Sequence, residues 1–411
     1  MGDGTWVGLD VHAKSVVTDH TCDETGELRV IRAPHRTEEL VRWVGELDSP
    51  ARVAYEAGPT GFGLARALEQ HGIGCVVAAP SLIARSPAGR TKKNDAADAE
   101  HLARLLRAGE LTPVRVADPA DEAARDLVRA REDARADLMR ARHRLSKLLL
   151  RHGVVYESGR SWTRAHDVWL RRQRLEHPGA RAAFDDAYGA VLTCVLRREV
   201  LDSEIAQLAT DPRWAAYVSR LECLRWVGTL TAIALCVEIG DWDRLTGATI
   251  RAYLGLVPTE SQSGTRHVRG QITKAGNSHA RRLLVEAAWH HRQPVRASRE
   301  LEGRRIGCPP EVRARAEQAG MRLHRRWAHL DGRRGLRSTV VAVTLARELA
   351  GWCWSLAVMD SAPIQAMGEK SAPVGRPYTP RGVMRDTPMS SHWSTLDPRQ
   401  RPTPAEHPVI R

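Results

Sequence analysis

Two acidic residues that each close a strand-like run constrain the start of this chain more than any other feature. Asp10 ends the apolar run Thr5-Trp-Val-Gly-Leu, and Glu56 ends Ala51-Arg-Val-Ala-Tyr. A further pair, Asp95 and Asp98, lies in Asn94-Asp-Ala-Ala-Asp-Ala-Glu100, which reads as the opening of a helix. Residues three apart on a helix share a face, so this pair can aim at one point. Carboxylates at strand ends, completed by a helical pair, offer the hard oxygen ligands that divalent metals take. Two such ions ~3.5–4 Å apart clamp the attacking and leaving oxygens of a phosphodiester. The pattern points to metal-dependent chemistry on nucleic-acid strands rather than to binding alone. A solvated or capping role for the four acids, with Asp95 as a helix cap, is the plainer alternative.

The spacing predicts strands over Thr5 to Val11, Ser15 to Thr21 and Leu28 to Ala33, with a turn at Asp23-Glu-Thr-Gly26. A helix follows from Thr37, read as its N-cap, to Leu47. Next come the strand to Glu56, a Gly-Pro-Thr-Gly turn, a helix from Phe62 to His71, and a strand from Gly74 to Ala79 stopped by Pro80. The last helix of this region runs from Asp95 to Ala108, with Gly109 just past its end. Three antiparallel strands followed by alternating helices and strands describe a ribonuclease-H-like (RuvC-like) α/β domain over residues 1–117.

Residues 118–219 change character. Leu127, Leu138, Leu145, Leu148 and Leu149 fall at helical spacing among dense charge, and a second helical stretch spans Ala183 to Ala209. This region reads as an antiparallel helix pair or an oligomerising coiled coil. Residues 220–358 are expected to form a mostly helical domain. Its segment from Leu224 to Gly240 resembles a helix-hairpin-helix element, whose glycine turn lets backbone amides approach phosphates. Residues 359–411 are rich in Pro, Ser, Arg and Thr without periodicity and are expected as a disordered tail.

The net charge of +13 suggests a polyanionic partner. It is unevenly placed. Residues 1–117 carry fourteen Lys and Arg against sixteen Asp and Glu, whereas residues 220–360 carry twenty-three against thirteen. The front of the chain therefore looks catalytic and the rear looks like the grip on nucleic acid. Seven scattered cysteines form no CxxC pair, which fits reduced thiols rather than a disulfide framework or zinc site. No signal peptide is evident, and no window of about eighteen apolar residues is read, so no membrane span is expected. A cytoplasmic protein is the expectation.

Taken together, these segments resemble the insertion sequence 110 family of transposases, which joins a RuvC-like DEDD domain to a second domain of the Transposase 20 type. The front half carries the resemblance through Gly8-Leu-Asp10-Val-His, Tyr55-Glu56-Ala-Gly-Pro-Thr-Gly and Lys93-Asn-Asp95-Ala-Ala-Asp98-Ala. The rear half carries it through Val227-Gly-Thr-Leu-Thr-Ala-Ile-Ala, Glu238-Ile-Gly-Asp, Leu254-Gly-Leu-Val-Pro, Ser263-Gly264 and Ile272-Thr-Lys-Ala-Gly-Asn277. The resemblance implies a recombinase that excises and inserts a mobile element. It implies Mg2+ on Asp10, Glu56, Asp95 and Asp98, and a serine nucleophile that maps to Ser263. Family members often have Ser-Ser-Gly where this chain has Ser261-Gln-Ser263-Gly264, so Ser261 is the second choice. The resemblance also implies a structured guide RNA from the element, and a homo-oligomer (dimer or tetramer) whose active sites combine domains of different subunits.

Further candidates for contact with nucleic acid are Lys92 and Lys93, just before the acidic helix, and Lys274, Asn277, Arg281 and Arg282 around the Gly276 turn. Ordinary helix entry, with Asn277 or Ser278 as cap, competes with that reading. His12 reads as a structural residue at a strand end. His290-His291 lacks the partner cysteines of a zinc site. Two rival functions remain open: a RuvC-like DNA endonuclease without serine chemistry, and a non-enzymatic nucleic-acid-binding protein.

Overall fold

A computed structural model of the chain describes residues 4–12, 15–22, 28–33, 36–47, 50–83, 95–263 and 266–359. The expected tail at 359–411 therefore lies almost wholly outside the described residues, as do Lys92 and Lys93. The front of the chain forms β1 (Thr5–Val11), β2 (Val16–Cys22), β3 (Leu28–Ala33), α1 (Thr37–Gly45), β4 (Ala51–Glu56), α2 (Gly63–Gln70), β5 (Gly74–Ala78) and α3 (Asp95–Ala108). The five strands make one mixed sheet in the order β3-β2-β1-β4-β5. β1 pairs antiparallel with β2 and parallel with β4, and β5 extends the parallel side. This mixed sheet is consistent with a RuvC-like domain. Its core is built from Val7, Leu9, Val53 and Tyr55 of the two central strands, with Leu40 and Leu68 from the helices. Thr37 is not the N-cap of α1 but its first helical residue; Arg36 occupies the cap with no side-chain hydrogen bond.

The remaining elements are α4 (Pro119–Arg151), α5 (Arg164–Arg171), α6 (Pro178–Leu208), α7 (Pro212–Glu222), α8 (Thr229–Ile239), α9 (Thr249–Tyr253), β6 (Pro258–Ser263), β7 (Arg266–Ile272), α10 (Ser278–Trp289), α11 (Arg299–Arg305), α12 (Pro310–Trp327) and α13 (Ser338–Ala357). The rear of the chain is thus mostly helical, and β6 and β7 add a two-stranded antiparallel hairpin that the apolar periodicity did not signal. α4 and α6 run antiparallel, since Arg131 pairs with Asp202 and Arg197 with Asp137. The Leu224–Gly240 segment read as a helical hairpin holds one helix, α8, buried from Ala232 to Ile239, after a turn that ends at Gly228 and follows α7.

Two compact units result. One unites residues up to Asp133 with those from Arg198 onward, and the other holds Ala134–Arg197. The second unit has its own core around Leu138, Leu145, Leu170 and Phe184. α13 is long and apolar enough to cross a membrane by length and composition alone, though Arg347 and Glu348 interrupt it. Its apolar residues, among them Val341, Leu345, Leu349 and Leu356, are instead buried in the core of the first unit.

A buried carboxylate ties the first unit together. Glu238, near the C-terminal end of α8, is almost fully buried. Arg129 of α4 donates to both of its oxygens at 3.0 Å. Asn277 Nδ2 donates to Oε2 at 2.6 Å, and His279 Nδ1 lies 3.1 Å from Oε1. Arg125, one turn earlier on α4, donates through Nε and Nη2 to the Val237 carbonyl. Burial works against the charge of Glu238, yet the hydrogen bonds from His279, Arg129 and Asn277 bring its pKa down to about 2. A depressed carboxylate stabilises the fold above its unfolded pKa, and that stabilisation fades as pH falls through the folded one. Stability should therefore drop between pH of about 4.5 and about 2. Glu238→Gln should cost about 3 kcal/mol at neutral pH and lower Tm by about 5 °C; its loss in acid should be shallower than the parent's. Thermal melts across that pH range check this, and matching curves for the two proteins would refute it.

Candidate active site

The register of the central strands places the acids. Gly8 of β1 lies opposite Ala54 of β4, and Leu9 opposite Tyr55. Side chains alternate between sheet faces, so Gly8 and Asp10 share a face with Ala54 and Glu56 beside them. α3 lies across that face. A Cβ on Gly8 would come within 2.0 Å of the Ala99 carbonyl oxygen and 2.7 Å of the Ala103 nitrogen, so only glycine permits this approach. Asp95, Ala99 and Ala103 are spaced four apart on one stripe of α3. The stripe that touches β1 at Gly8 therefore delivers Asp95 to Asp10, at the C-terminal ends of parallel strands.

His12 Nε2 lies 3.2 Å from Asp10 Oδ2 and 3.9 Å from Asp95 Oδ2. Asp10, His12 and Asp95 present ligand atoms within 4.8 Å of one another. His12, expected only to finish a strand, stands between the two carboxylates. Glu56 and Asp98 are exposed at the same edge and outside that set of three. Burial raises the pKa of Asp10; His12 opposes this, while the charges of Asp95 and Asp98 add to it. Clustered carboxylates, one of them partly desolvated, are relieved by a divalent cation, and oxygen donors with one imidazole fit Mg2+ or Mn2+.

The loop after β4 is fixed from within. Tyr55 is fully buried, and its hydroxyl donates to the Gly61 carbonyl at 3.2 Å, closing the Gly-Pro-Thr-Gly turn beside Glu56.

Ser263 ends β6, next to residues outside the described set, and its side chain is likewise outside it. Ser261, two residues back on the same strand, is exposed. The root of this hairpin is locked by backbone contacts. Gly255 and Gly276 both have positive φ; a Cβ on Gly255 would fall 2.1 Å from the Ala275 carbonyl oxygen, and one on Gly276 1.9 Å from that of Tyr253. Arg281 Nη1 donates to the carbonyls of Leu254 and Ala275 across this crossing. Asn277 caps α10, accepting from the Ala280 amide, while its amide group serves Glu238. Arg282 pairs with Glu132 and Glu286. Asn277, Arg281 and Arg282, expected to touch nucleic acid, thus each also place a donor on an acceptor of the protein. Lys274 is exposed, with φ 56°. Among the described residues, His290 and His291 have no metal-ligating partners; His290 stacks on Trp226, and His291 is buried.

Two family models match the chain: a transposase model of the DEDD, IS110 type over residues 7–153, and the Transposase IS116/IS110/IS902 family over residues 218–300. The chain belongs to the IS110 family of transposases. It is 43% identical over 360 residues to the transposase-type protein y4qE of Sinorhizobium fredii, covering 86% of this chain and 88% of that one. It is 30% identical over 341 residues to the transposase for insertion sequence element IS1533 of Leptospira borgpetersenii, covering 80% and 97%. The chain is thus a transposase of an insertion sequence, a class that binds DNA, and its DEDD domain implies use of a divalent metal.

Gly8→Val should push α3 off β1 and disperse the acidic edge. Calorimetric titration with Mn2+ should show binding to the parent and none to the variant; undiminished binding by Gly8→Val would sink the close-approach argument. Because burial raises the pKa of Asp10, protons compete there with the metal, and parental Mn2+ binding should weaken on acidification.

Proposed function

We propose that this transposase cleaves and rejoins DNA with Mg2+ held by Asp10, Glu56, Asp95 and Asp98, using Ser263 as nucleophile. The observation that carries the metal assignment is the meeting of Asp10 and Asp95 at one sheet edge, with Glu56 on the strand beside them. When bound, the ion would polarise the scissile phosphate and offset its charge. Asp10 and Asp95 would orient it, while His12 steadies both carboxylates. Ser263 Oγ would attack phosphorus, giving up its proton as the displaced strand oxygen takes one up and leaves as a hydroxyl, so that a phosphoserine link remains. Attack on that link by a hydroxyl of the strand to be joined would restore the serine, so the phosphodiester energy is conserved. No Ser/His/Asp order in the chain supplies a better-supported base for the hydroxyl.

The hairpin that ends in Ser263 is exposed from Thr259 to Gln262 and from Val268 to Gln271. An isolated two-stranded hairpin is marginal in water, which favours a role completed by a partner. This supports a homo-oligomer, dimer or tetramer, in which the serine of one subunit serves the acidic edge of another. An element-encoded guide RNA that pairs with donor and target is part of the same reading, as is the division into residues 1–117, 118–219, 220–358 and 359–411.

Asp10→Asn and Ser263→Ala should each abolish excision of a marked element while leaving DNA binding within about twofold, since neither removes a cationic contact. Trapping on a cognate end should give a protein–DNA adduct that survives denaturation in the parent and is absent in Ser263→Ala. If Ser263→Ala still cut the DNA, the chemistry would be that of a metal-dependent endonuclease using water.

A further inference from the structure

Three adjoining cavities of about 370, 460 and 870 Å³ lie in the first unit, and none is lined by a residue of the acidic edge. The first two share Arg322 and Arg326 of α12, and the first and third share Arg251 of α9 and Arg347 of α13, so they form one groove. Arg325 lines one end, and Arg269 of β7 lines the other. Six arginines thus face two carboxylates, Glu348 and Glu260. Glu348 already serves both Arg322 and Arg326, and Glu260 accepts from Arg269 at 3.1 Å. Arg251 Nε is buried without a hydrogen-bond partner, its side chain pressed on Gly351 of α13. Arg347 is half-buried, and burial together with Arg251, Arg326 and Arg269 lowers its pKa. Cations are thus assembled here against their own repulsion, and the protein supplies too few anions to balance them. A row of planar guanidinium groups suits bidentate contact with phosphate oxygens.

The groove has a direction. Its far cavity is lined by Thr259 and Glu260 of β6, and Ser263 lies three residues further along that strand. At ~3.3 Å per residue, that is about 10 Å. α12 and α13 lie beyond residues 218–300, the stretch matched by the second family model.

We propose that this groove holds the phosphodiester backbone of the DNA whose strand is delivered to the Ser263 hairpin. The proposal rests on the functional reading above in assuming that the hairpin meets DNA. Each phosphate contact steepens the salt dependence of binding by ~0.9 in log–log slope, so the groove can be counted. The probe is a fluorescein-labelled duplex carrying an element end, titrated by anisotropy over a range of salt concentrations. The triple variant R322Q/R325Q/R347Q should bind with a slope shallower by about 2–3 and at least ~10-fold more weakly near physiological salt. R269Q, on the exposed hairpin, should flatten the slope by about 1. R160Q/R164Q/R172Q removes the same charge from exposed positions in the other unit and should leave the slope unchanged. Excision by the triple variant should fall in step with binding, and circular dichroism should match the parent.

A parental slope in the triple variant, or an equal loss in the control, would overturn the groove assignment while leaving the metal and serine chemistry standing. A loss confined to an RNA hairpin probe would also overturn it, making the groove a site for RNA. If the parent itself failed to bind the duplex, the functional reading would fall first, and this inference with it.

Discussion

The charge on Glu238 organises the first unit, because it cannot be buried unless partners from distant parts of the chain reach it. An ionised carboxylate taken out of water is costly until its lone pairs are filled. Here Arg129 and Arg125 come from the helix that leaves the sheet domain, and Asn277 and His279 come from the start of α10. The same Asn277 caps α10 and follows the Gly276 crossing that roots the β6–β7 hairpin. One buried anion therefore couples the helix emerging from the acidic domain to the base of the strand bearing Ser263. The Glu238-Ile-Gly-Asp and Ile272-Thr-Lys-Ala-Gly-Asn277 segments are two ends of this single interaction.

A similar economy governs the acidic edge. α3 approaches β1 backbone to backbone because position 8 has no side chain, and the approach brings like charges together. The protein tolerates this with one imidazole between Asp10 and Asp95 and with solvent access for Glu56 and Asp98. The close contact is rigid where the backbones touch, at Ala99 and Ala103, and the charged atoms sit one turn further out. Support and chemistry are thus separated along one helix.

Much of the sheet domain was legible because its signals are local. Alternation and strand-end acids located β1, β4 and β5, and the aspartates spaced three apart marked the start of α3. What escaped depends on pairing in space. His12 looked structural because nothing in its neighbours shows that Asp95 arrives from across the sheet. The β6–β7 hairpin escaped because Thr259-Glu-Ser-Gln-Ser263 and Arg266-His-Val-Arg-Gly are mostly polar in sequence, so no apolar alternation marks them. Asn277, Arg281 and Arg282 look like phosphate ligands by type and spacing, and the sequence does not show that Glu238, the Leu254 and Ala275 carbonyls, Glu132 and Glu286 also reach them. α13 shows the converse, an apolar helix whose content serves the core and is diluted by Arg347 and Glu348 on its groove face.

Those same two residues show why type alone misleads in a basic protein. An arginine matched to a buried carbonyl or carboxylate, such as Arg281 or Arg129, contributes to the fold whether or not a ligand is bound. An arginine set among other arginines, such as Arg347, raises the energy of the folded state. Its side chain could rotate outward to solvent, where screening would relieve the repulsion. It stays partly buried because α9, α12, α13 and the hairpin root converge on it. Positive charge that a fold holds at a cost is better evidence of an anionic partner than the net charge of the chain, which counts both kinds alike.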